Sequence, residues 1–121
     1  MIPYCELVTN PAAHDGEIVR VRATYLSSFE QSEFWADGCD HRTWVYFTRQ
    51  YEMNTPGRVR QMFDSLSGPI AMVAVGKFTG VKPTHVVFGR TIHEGFGHMG
   101  GSDFKFEVLA VESVRPTHFP R

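Results

Sequence analysis

The Gly-rich stretch between Gly89 and Ser102 contains residue types that commonly bind metals. His93 and Glu94 are followed by His98, one residue further on than the second histidine of the zinc-protease helix motif. On a helix this spacing turns the two imidazoles about 140° apart, but a loop can bring both to one metal ion. The stretch therefore offers His93 and His98 as metal ligands, against the commoner role of solvated or locally hydrogen-bonded histidines. The further ligand candidates are Glu94, His85 and Asp103.

Two glycine motifs resemble nucleotide-binding loops. The segment from Gly95 to Gly100 fits G-x-G-x-x-G, but a strand pattern follows it where a dinucleotide site needs a helix. A tight turn that requires positive φ explains these glycines better. Gly76-Lys77 lacks the hydroxyl residue of a P-loop, because Phe78 follows it. The sequence thus predicts no cofactor.

The candidate catalytic residues do not match the active site of any recognisable reaction class. Cys39 and His41 are close in sequence, which does not make them a dyad in space. A glycosidase-type carboxylate pair needs one buried acid with a raised pKa, whereas the acidic run beside the second strand pattern has a solvated character. That run comprises Glu30, Glu33, Asp37 and Asp40. A non-enzymatic role is the expectation.

The length and charge of the chain limit its domain number, its partners and its localisation. The 121 residues fit one domain, with a lead-in over residues 1–15 and a tail over residues 115–121. Lys plus Arg number 12 and Asp plus Glu 13, which argues against a general polyanion binder. No apolar run approaches the roughly 20 residues of a membrane span, so no membrane partner is expected. The N-terminal residues lack signal-peptide features, so the protein is expected to be cytoplasmic, or exported after removal of a signal.

The two cysteines, Cys5 and Cys39, leave two alternatives open. They are either free, partly buried thiols, as in reduced cytosolic proteins, or one disulfide that ties the N-terminal segment to the sheet. Such a bridge would add about 4 kcal/mol on the entropic model.

Alternation of apolar and polar residues predicts a mainly β chain. The first strand is the clearest, with Val19, Val21, Ala23 and Tyr25 on one face and Arg20, Arg22 and Thr24 on the other. The predicted strands are Glu17–Ser27, Phe29–Ala36, Thr43–Thr48, Ile70–Thr79 and Phe104–Val114, with a short extra strand at His85–Phe88. Gly76 predicts a bulge or a barrel corner. A change of phase between Val108 and Val111 indicates either that the second half of the last strand is covered on both sides or that it contains a bulge.

One helix is predicted between the third and fourth strands. Thr55 is the candidate cap and Pro56 the first helical residue. The apolar stripe that should pack on the sheet comprises Val59, Met62, Phe63 and Leu66. Before the first strand, Pro3–Val8 and Pro11–His14 are each expected to form a helical turn.

This order of elements resembles the OB-fold, a five-stranded Greek-key barrel with a helix between strands 3 and 4. The chain also has the segments Cys5-Glu6-Leu7-Val8, Asp15-Gly16-x-x-Val19-Arg20-Val21, Cys39 before Trp44-Val45, and Gly95-Phe96-Gly97-His98. In these it resembles a group of uncharacterised small bacterial proteins. The resemblance implies an OB-like domain, sometimes exported, and supplies no activity.

The OB-fold binds ligands on its strand 2–3 face and with the loops after strands 1 and 4. The residues expected there are Arg20, Arg22, Phe34, Trp35, Arg42, Trp44, Tyr46 and Arg49, joined by Phe96 and His98 of the Gly-rich loop. Rings beside basic groups also hold single-stranded nucleic acid, but the acidic run and the absent basic excess oppose this. We therefore expect a protein- or peptide-binding module, with nucleic-acid binding as the alternative. The opposing interpretation places Trp44 and its neighbours in the core.

Overall fold

The computed structural model describes residues 1–27, 31–81, 84–93, 95–96 and 102–120. Its elements are β1 (Ile2–Pro3), α1 (Tyr4–Thr9), β2 (Ile18–Ser27), β3 (Ser32–Ala36), β4 (Cys39–Phe47), α2 (Arg49–Asn54), α3 (Gly57–Ser65), β5 (Ile70–Thr79), β6 (Thr84–Val87), β7 (Arg90–His93) and β8 (Phe104–Pro116). A short 3-10 turn covers Pro11–His14. In the described residues, no helix has the length and apolar character that a membrane crossing would require.

Five of the strands close into a Greek-key barrel. The order around it is β2, β3, β4, β8 and β5, and β5 pairs back onto β2. The β4–β8 pairing is parallel, and the other four are antiparallel. The two helices α2 and α3 lie between the third and fourth barrel strands in the chain. The predicted OB-like barrel with its helical connection after the third strand is therefore confirmed.

The inner face of the barrel follows the predicted alternation in β2. Val19, Val21, Ala23 and Tyr25 are buried, and the arginines between them are exposed. The rest of the core is rich in rings, and the buried members are Tyr4, Phe34, Phe78, Phe104 and Phe106. Several of these rings meet edge to face, a favoured arrangement for aromatic pairs.

Several predicted boundaries shift in the structure. β3 starts at Ser32, since Gln31 is not part of the strand, and the predicted residues Phe29 and Glu30 lie outside the described residues. β4 begins at Cys39, four residues before the predicted start, because Gly38 with φ of 83° forms a tight turn that pairs Ala36 with Cys39. β8 extends to Pro116, two residues beyond the predicted end.

The extra strand after β5 has a partner that was not predicted. β6 pairs with β7 across a two-residue turn at Phe88 and Gly89, both with positive φ. This small hairpin forms a separate two-stranded sheet.

The single predicted helix is wrong in two respects. The connection contains two helices, and Pro56 is the cap of α3 rather than its first residue. Thr55 caps nothing with its side chain; its buried hydroxyl accepts a hydrogen bond from the Val111 amide at 2.9 Å. Val59 is buried, but Met62 is 50% exposed, so the apolar stripe is narrower than predicted.

Polar side chains of the helical connection hold it against a bulged part of β8. The register shifts at Val75–Gly76, which confirms the bulge alternative for both Gly76 and the last strand, and it shifts again at Val73–Ala74, which was not predicted. Thr48 donates to the Val108 carbonyl from its amide and its hydroxyl, and Asn54 donates to the Leu109 carbonyl. The helical connection thus donates hydrogen bonds to carbonyl groups of β8 that the bulged strand pairing leaves without a partner.

Gly76 of β5 lies directly against the backbone of β8. A Cβ atom there would overlap the Glu107 carbonyl oxygen and the Phe106 ring. We expect Gly76→Ala to lower the free energy of unfolding by about 3 kcal/mol, since backbone on one side cannot yield. Urea unfolding measures this. Gly57→Ala is the control, because its nearest neighbour would be the Arg60 side chain at 3.9 Å; an equal loss in both variants would contradict the prediction.

The N-terminal segment packs on the barrel and is joined to it covalently. Leu7 and Val8 of α1 are buried, as predicted. Cys5 forms a disulfide with Cys39 at the start of β4, with their Cα atoms 5.7 Å apart. The alternative of two free thiols is therefore wrong. Tyr4 donates to the His41 carbonyl at 3.0 Å and hydrogen-bonds the Thr43 hydroxyl at 2.8 Å.

Burial of Tyr4 makes stability depend on alkaline pH. Loss of water around the phenol raises its pKa above the ordinary value of 10, despite the hydrogen bond from Thr43 that lowers it. A raised folded-state pKa means that the stabilisation is complete below pH 10 and is lost as the pH rises above it. We expect the free energy of unfolding to fall there by up to about 1.4 kcal/mol per pH unit for this proton.

Urea unfolding of wild type and Tyr4→Phe between pH 9 and pH 11 tests this dependence. In the variant, the free energy of unfolding should fall less steeply with pH than in wild type. Some dependence on pH should remain, because burial also raises the pKa of Tyr51. Identical slopes in the two proteins would contradict the assignment to Tyr4.

Candidate functional site

The outward side chains of β3 and β4 form the candidate site. Phe34 pairs with Thr43, and both side chains point into the barrel. The residues that alternate with them therefore point outward, namely Glu33, Trp35, Arg42, Trp44 and Tyr46. Two consecutive strands thus position three aromatic rings and two opposite charges on one face.

Phe34 was expected on this face, and that prediction is wrong. Its side chain is 0% exposed and lies in the barrel core, with its ring 5.2 Å from that of Phe106 and 6.3 Å from that of Tyr4. Phe34 and Trp35 are neighbours in a strand, so only one of them can face outward. Trp35 takes that position, and Phe34 cannot contact a ligand there.

Trp35 and Arg42 form one wall of a cavity of about 340 Å³. The guanidinium carbon of Arg42 lies 4.3 Å from the centroid of the Trp35 ring, a cation–π contact that fixes both side chains. Leu26 of β2 and Phe119 of the C-terminal tail complete the apolar walls. The Trp35 indole nitrogen is buried and has no hydrogen-bond partner among the described residues. The cavity therefore combines apolar walls with the charged side chains of Arg42 and Glu33.

Glu33 lies at the same cavity as a buried carboxylate, 7% exposed. Ser102 donates its hydroxyl proton to Glu33 Oε2 at 3.1 Å. The Gln31 amide, oriented to satisfy both groups, donates to Glu33 Oε1 at 2.8 Å. Ser102 in turn exchanges two backbone hydrogen bonds of 2.9 Å with Phe96. Glu33 thus holds Ser102, and through it Phe96, against β3.

Trp44 and Tyr46 form a second aromatic pair farther along β4. Their ring centroids are 6.2 Å apart, and Tyr46 is 53% exposed. The neighbouring strand presents Lys105 and Glu107, whose charged atoms lie 3.1 Å apart. The expectation that Trp44 belongs to the core is not supported, since it alternates with the buried Thr43 and Val45.

The three arginines Arg20, Arg22 and Arg49 lie away from the Trp35 cavity. Only the second half of β2 pairs with β3, from Thr24 onward. Arg22 lies between Pro3 of β1 and Val73 of β5, and Arg20 lies opposite Val75 of β5. Arg20 forms an ion pair of 2.5 Å with Glu112. Arg49 begins α2 at the far end of β4 and is exposed. The expected convergence of these arginines with the aromatic rings is therefore wrong.

The predicted metal site falls mostly outside the described residues. His98 is not among them, and His93 is described only as part of β7, opposite Thr84. Asp103, a further ligand candidate, interacts with His41 at 3.3 Å. Among the described residues, no group of three or more metal-ligating side chains occurs. Phe96 is half-buried at its bridge with Ser102.

Sequence reasoning missed three residues that complete the site: Leu26, Phe119 and Ser102. Leu26 has a signal, since it continues the outward alternation of β2 after Thr24. Phe119 follows the strand-ending Pro116 and has no periodic pattern. Its position depends on the tail turning back, where the Thr117 amide donates to the Pro69 carbonyl at 3.1 Å.

No protein-family model, no curated protein and no solved structure shows significant similarity to this chain.

Proposed function

We propose that this chain is a non-enzymatic OB-like binding module that holds a peptide segment of a partner protein on the outward face of β3 and β4. The observation that carries the proposal is the cavity between Trp35, Leu26 and Phe119. Its size and apolar walls suit one large apolar side chain of a peptide. Arg42 at the same cavity offers a positive partner for a group flanking that side chain.

Two features support binding at this face. OB-like barrels bind ligands on the face formed by their second and third strands. In this chain those strands are β3 and β4. Aromatic and arginine side chains also contribute most of the energy at protein interfaces, and the stacked pair of Trp35 and Arg42 provides one of each. The stack fixes both side chains before a ligand arrives, so less conformational entropy is lost on binding.

The hydrogen bonds of Glu33 favour binding over catalysis. Both carboxylate oxygens already accept hydrogen bonds, from Ser102 and Gln31. A general acid or base needs an oxygen that can exchange a proton with a substrate. We therefore assign Glu33 the role of fixing the loop end and the cavity wall.

Selection from a library of random displayed peptides tests the proposal. Peptides enriched on the wild-type chain should share a large apolar residue and should lose at least tenfold in affinity for Trp35→Ala. Met53→Ala is the matched control, because Met53 is 77% exposed on α2, outside the site. Equal binding of the enriched peptides to wild type and Trp35→Ala would contradict the proposal, as would a failure to enrich any peptide.

Single-stranded nucleic-acid binding is the second candidate. The exposed pair of Trp44 and Tyr46 favours it, since adjacent rings on a strand can stack successive bases. The ion pairs of Arg20 with Glu112 and of Lys105 with Glu107 oppose it, because they leave less positive charge for phosphates. Fluorescence anisotropy of a labelled oligothymidine at low salt tests it; no binding at micromolar protein would remove this candidate.

The Cys5–Cys39 disulfide supports an oxidising compartment as the place of action, since cytosolic thiols are kept reduced. This favours the exported alternative over the cytoplasmic one.

A further inference from the structure

A second cavity, of about 460 Å³, lies between the N-terminal residues 3–5, the end of β3, and the strands β2, β5 and β8. Arg22 of β2 and Arg115 of β8 both line it. Between them lies β5, whose Ala71 pairs with Thr24 on one side and with Arg115 on the other. With a strand spacing of about 4.8 Å, the small Ala71 leaves room over which both long arginine side chains can extend.

These two arginines lack the partner that their neighbour has. On the same face of β2, Arg20 is neutralised by Glu112. Within the described part of the chain, Arg22 and Arg115 make no ion pair and no side-chain hydrogen bond. Asp37 lines the cavity as well, and its carboxylate interacts with His118 at 3.3 Å. The cavity thus has two guanidinium groups and one carboxylate that already interacts with a neighbour.

Arg22 on β2 and Arg115 on β8 lie on either side of β5, and no carboxylate of the described barrel forms an ion pair with either of them. Each guanidinium presents planar N–H donors that match the two oxygens of a carboxylate. With Asp37 included, the cavity has one excess positive charge, which a single carboxylate would neutralise and a phosphate dianion would exceed. The donor geometry suits either anion, and the charge favours a monoanionic carboxylate.

We propose that Arg22 and Arg115 bind a carboxylate of the same peptide whose apolar side chain occupies the Trp35 cavity, an inference that rests on the proposed function. Arg22, Thr24 and Leu26 follow one another on the outward face of β2 and connect the two cavities. Four residues of extended strand separate Arg22 from Leu26, about 13 Å. The preferred peptide therefore has an acidic group about four residues away from its apolar side chain.

The carboxylate site can be tested without the peptide. The ¹⁵N-labelled full chain is titrated with N-acetyl-L-glutamate at constant ionic strength, and the arginine Nε–H signals are followed by NMR. Signals of Arg22 and Arg115 should move and saturate, while that of Arg20 stays in place. N-acetyl-L-glutamine, which lacks the side-chain carboxylate, should bind at least tenfold more weakly.

Substitutions give the matched comparison. Arg22→Gln and Arg115→Gln should each weaken N-acetyl-L-glutamate binding at least tenfold with an unchanged melting temperature, whereas Arg20→Gln should not weaken it. Equal shifts with sodium chloride alone would overturn the site. Saturation by inorganic phosphate at a lower concentration than by N-acetyl-L-glutamate would overturn the carboxylate assignment.

The outcome separates this inference from the proposed function. Trp35→Ala should lose the selected peptides yet keep the N-acetyl-L-glutamate shifts. A positive peptide selection with a negative titration overturns the carboxylate site alone. A positive titration with no enriched peptide overturns the peptide function and with it the link between the two cavities.

Discussion

Phe34→Ala is expected to lower the free energy of unfolding by about 4 kcal/mol. The Phe34 side chain is fully buried and its ring meets those of Tyr4, Tyr25 and Phe106. Removing a buried ring from a packed core costs the lost burial together with the cavity left behind. Because several large rings surround this position, they cannot all shift to fill the space. Urea unfolding followed by near-ultraviolet circular dichroism measures the loss.

The adjacent residue provides the control for this prediction. Trp35→Ala should cost only about 1 kcal/mol, because Trp35 faces outward and its main contact is the cation–π stack with Arg42. The two variants should therefore separate stability from binding, with Phe34→Ala losing stability and Trp35→Ala losing the peptide. A larger stability loss for Trp35→Ala than for Phe34→Ala would reverse the assignment of the two faces of β3.

Removal of the disulfide should have an effect of similar size. The double variant Cys5→Ser, Cys39→Ser is expected to be less stable by about 4 kcal/mol, because the bond closes a loop of 34 residues and so restricts the unfolded chain. Cys5 lies in α1 and Cys39 at the start of β4, so the bond also holds the N-terminal helix on the barrel. Urea unfolding under non-reducing conditions measures the difference.

Two observations check the cause of that loss. Wild type with a reducing agent should unfold at the same urea concentration as the double variant, and the reducing agent should leave the double variant unchanged. A thiol titration of the wild-type protein in denaturant should detect no free thiols before reduction and two free thiols after reduction. Two reactive thiols in the unreduced wild type would show that the bond does not form.

The fold was largely predictable because local signals agreed with the tertiary structure. The alternation in β2 and the predicted Ile70–Thr79 strand match the barrel, since one buried face imposes a period of two. Gly76 marked a bulge because only a residue without a side chain fits against Glu107. The second helix, α2, was missed, since its six residues contain no buried stripe and are held by contacts with β8.

The site was less predictable from the sequence. Its residues depend on which face of each strand is buried and on contacts between residues far apart in the chain. Phe34 and Trp35 are both large and apolar, so alternation alone cannot say which of them faces the core. Arg20 and Arg22 share the outward face of β2 with Leu26, but β3 pairs only with the residues from Thr24 onward. Where β3 begins to pair along β2 cannot be inferred from the alternation of residues in β2. Phe119 reaches the cavity only through the course of the tail after Pro116.

The place of β8 in the barrel has a consequence for synthesis of the chain. β8 is the last barrel strand in sequence, yet it lies between β4 and β5. While the ribosome is still translating residues 104–116, both of those strands keep an unpaired edge, and such edges can join those of other nascent chains. Closure also requires residues about 60 positions apart in β4 and β8 to meet, which makes folding slow compared with that of proteins dominated by local contacts. Yield from expression should therefore depend on chaperones that cover exposed strand edges until translation has finished.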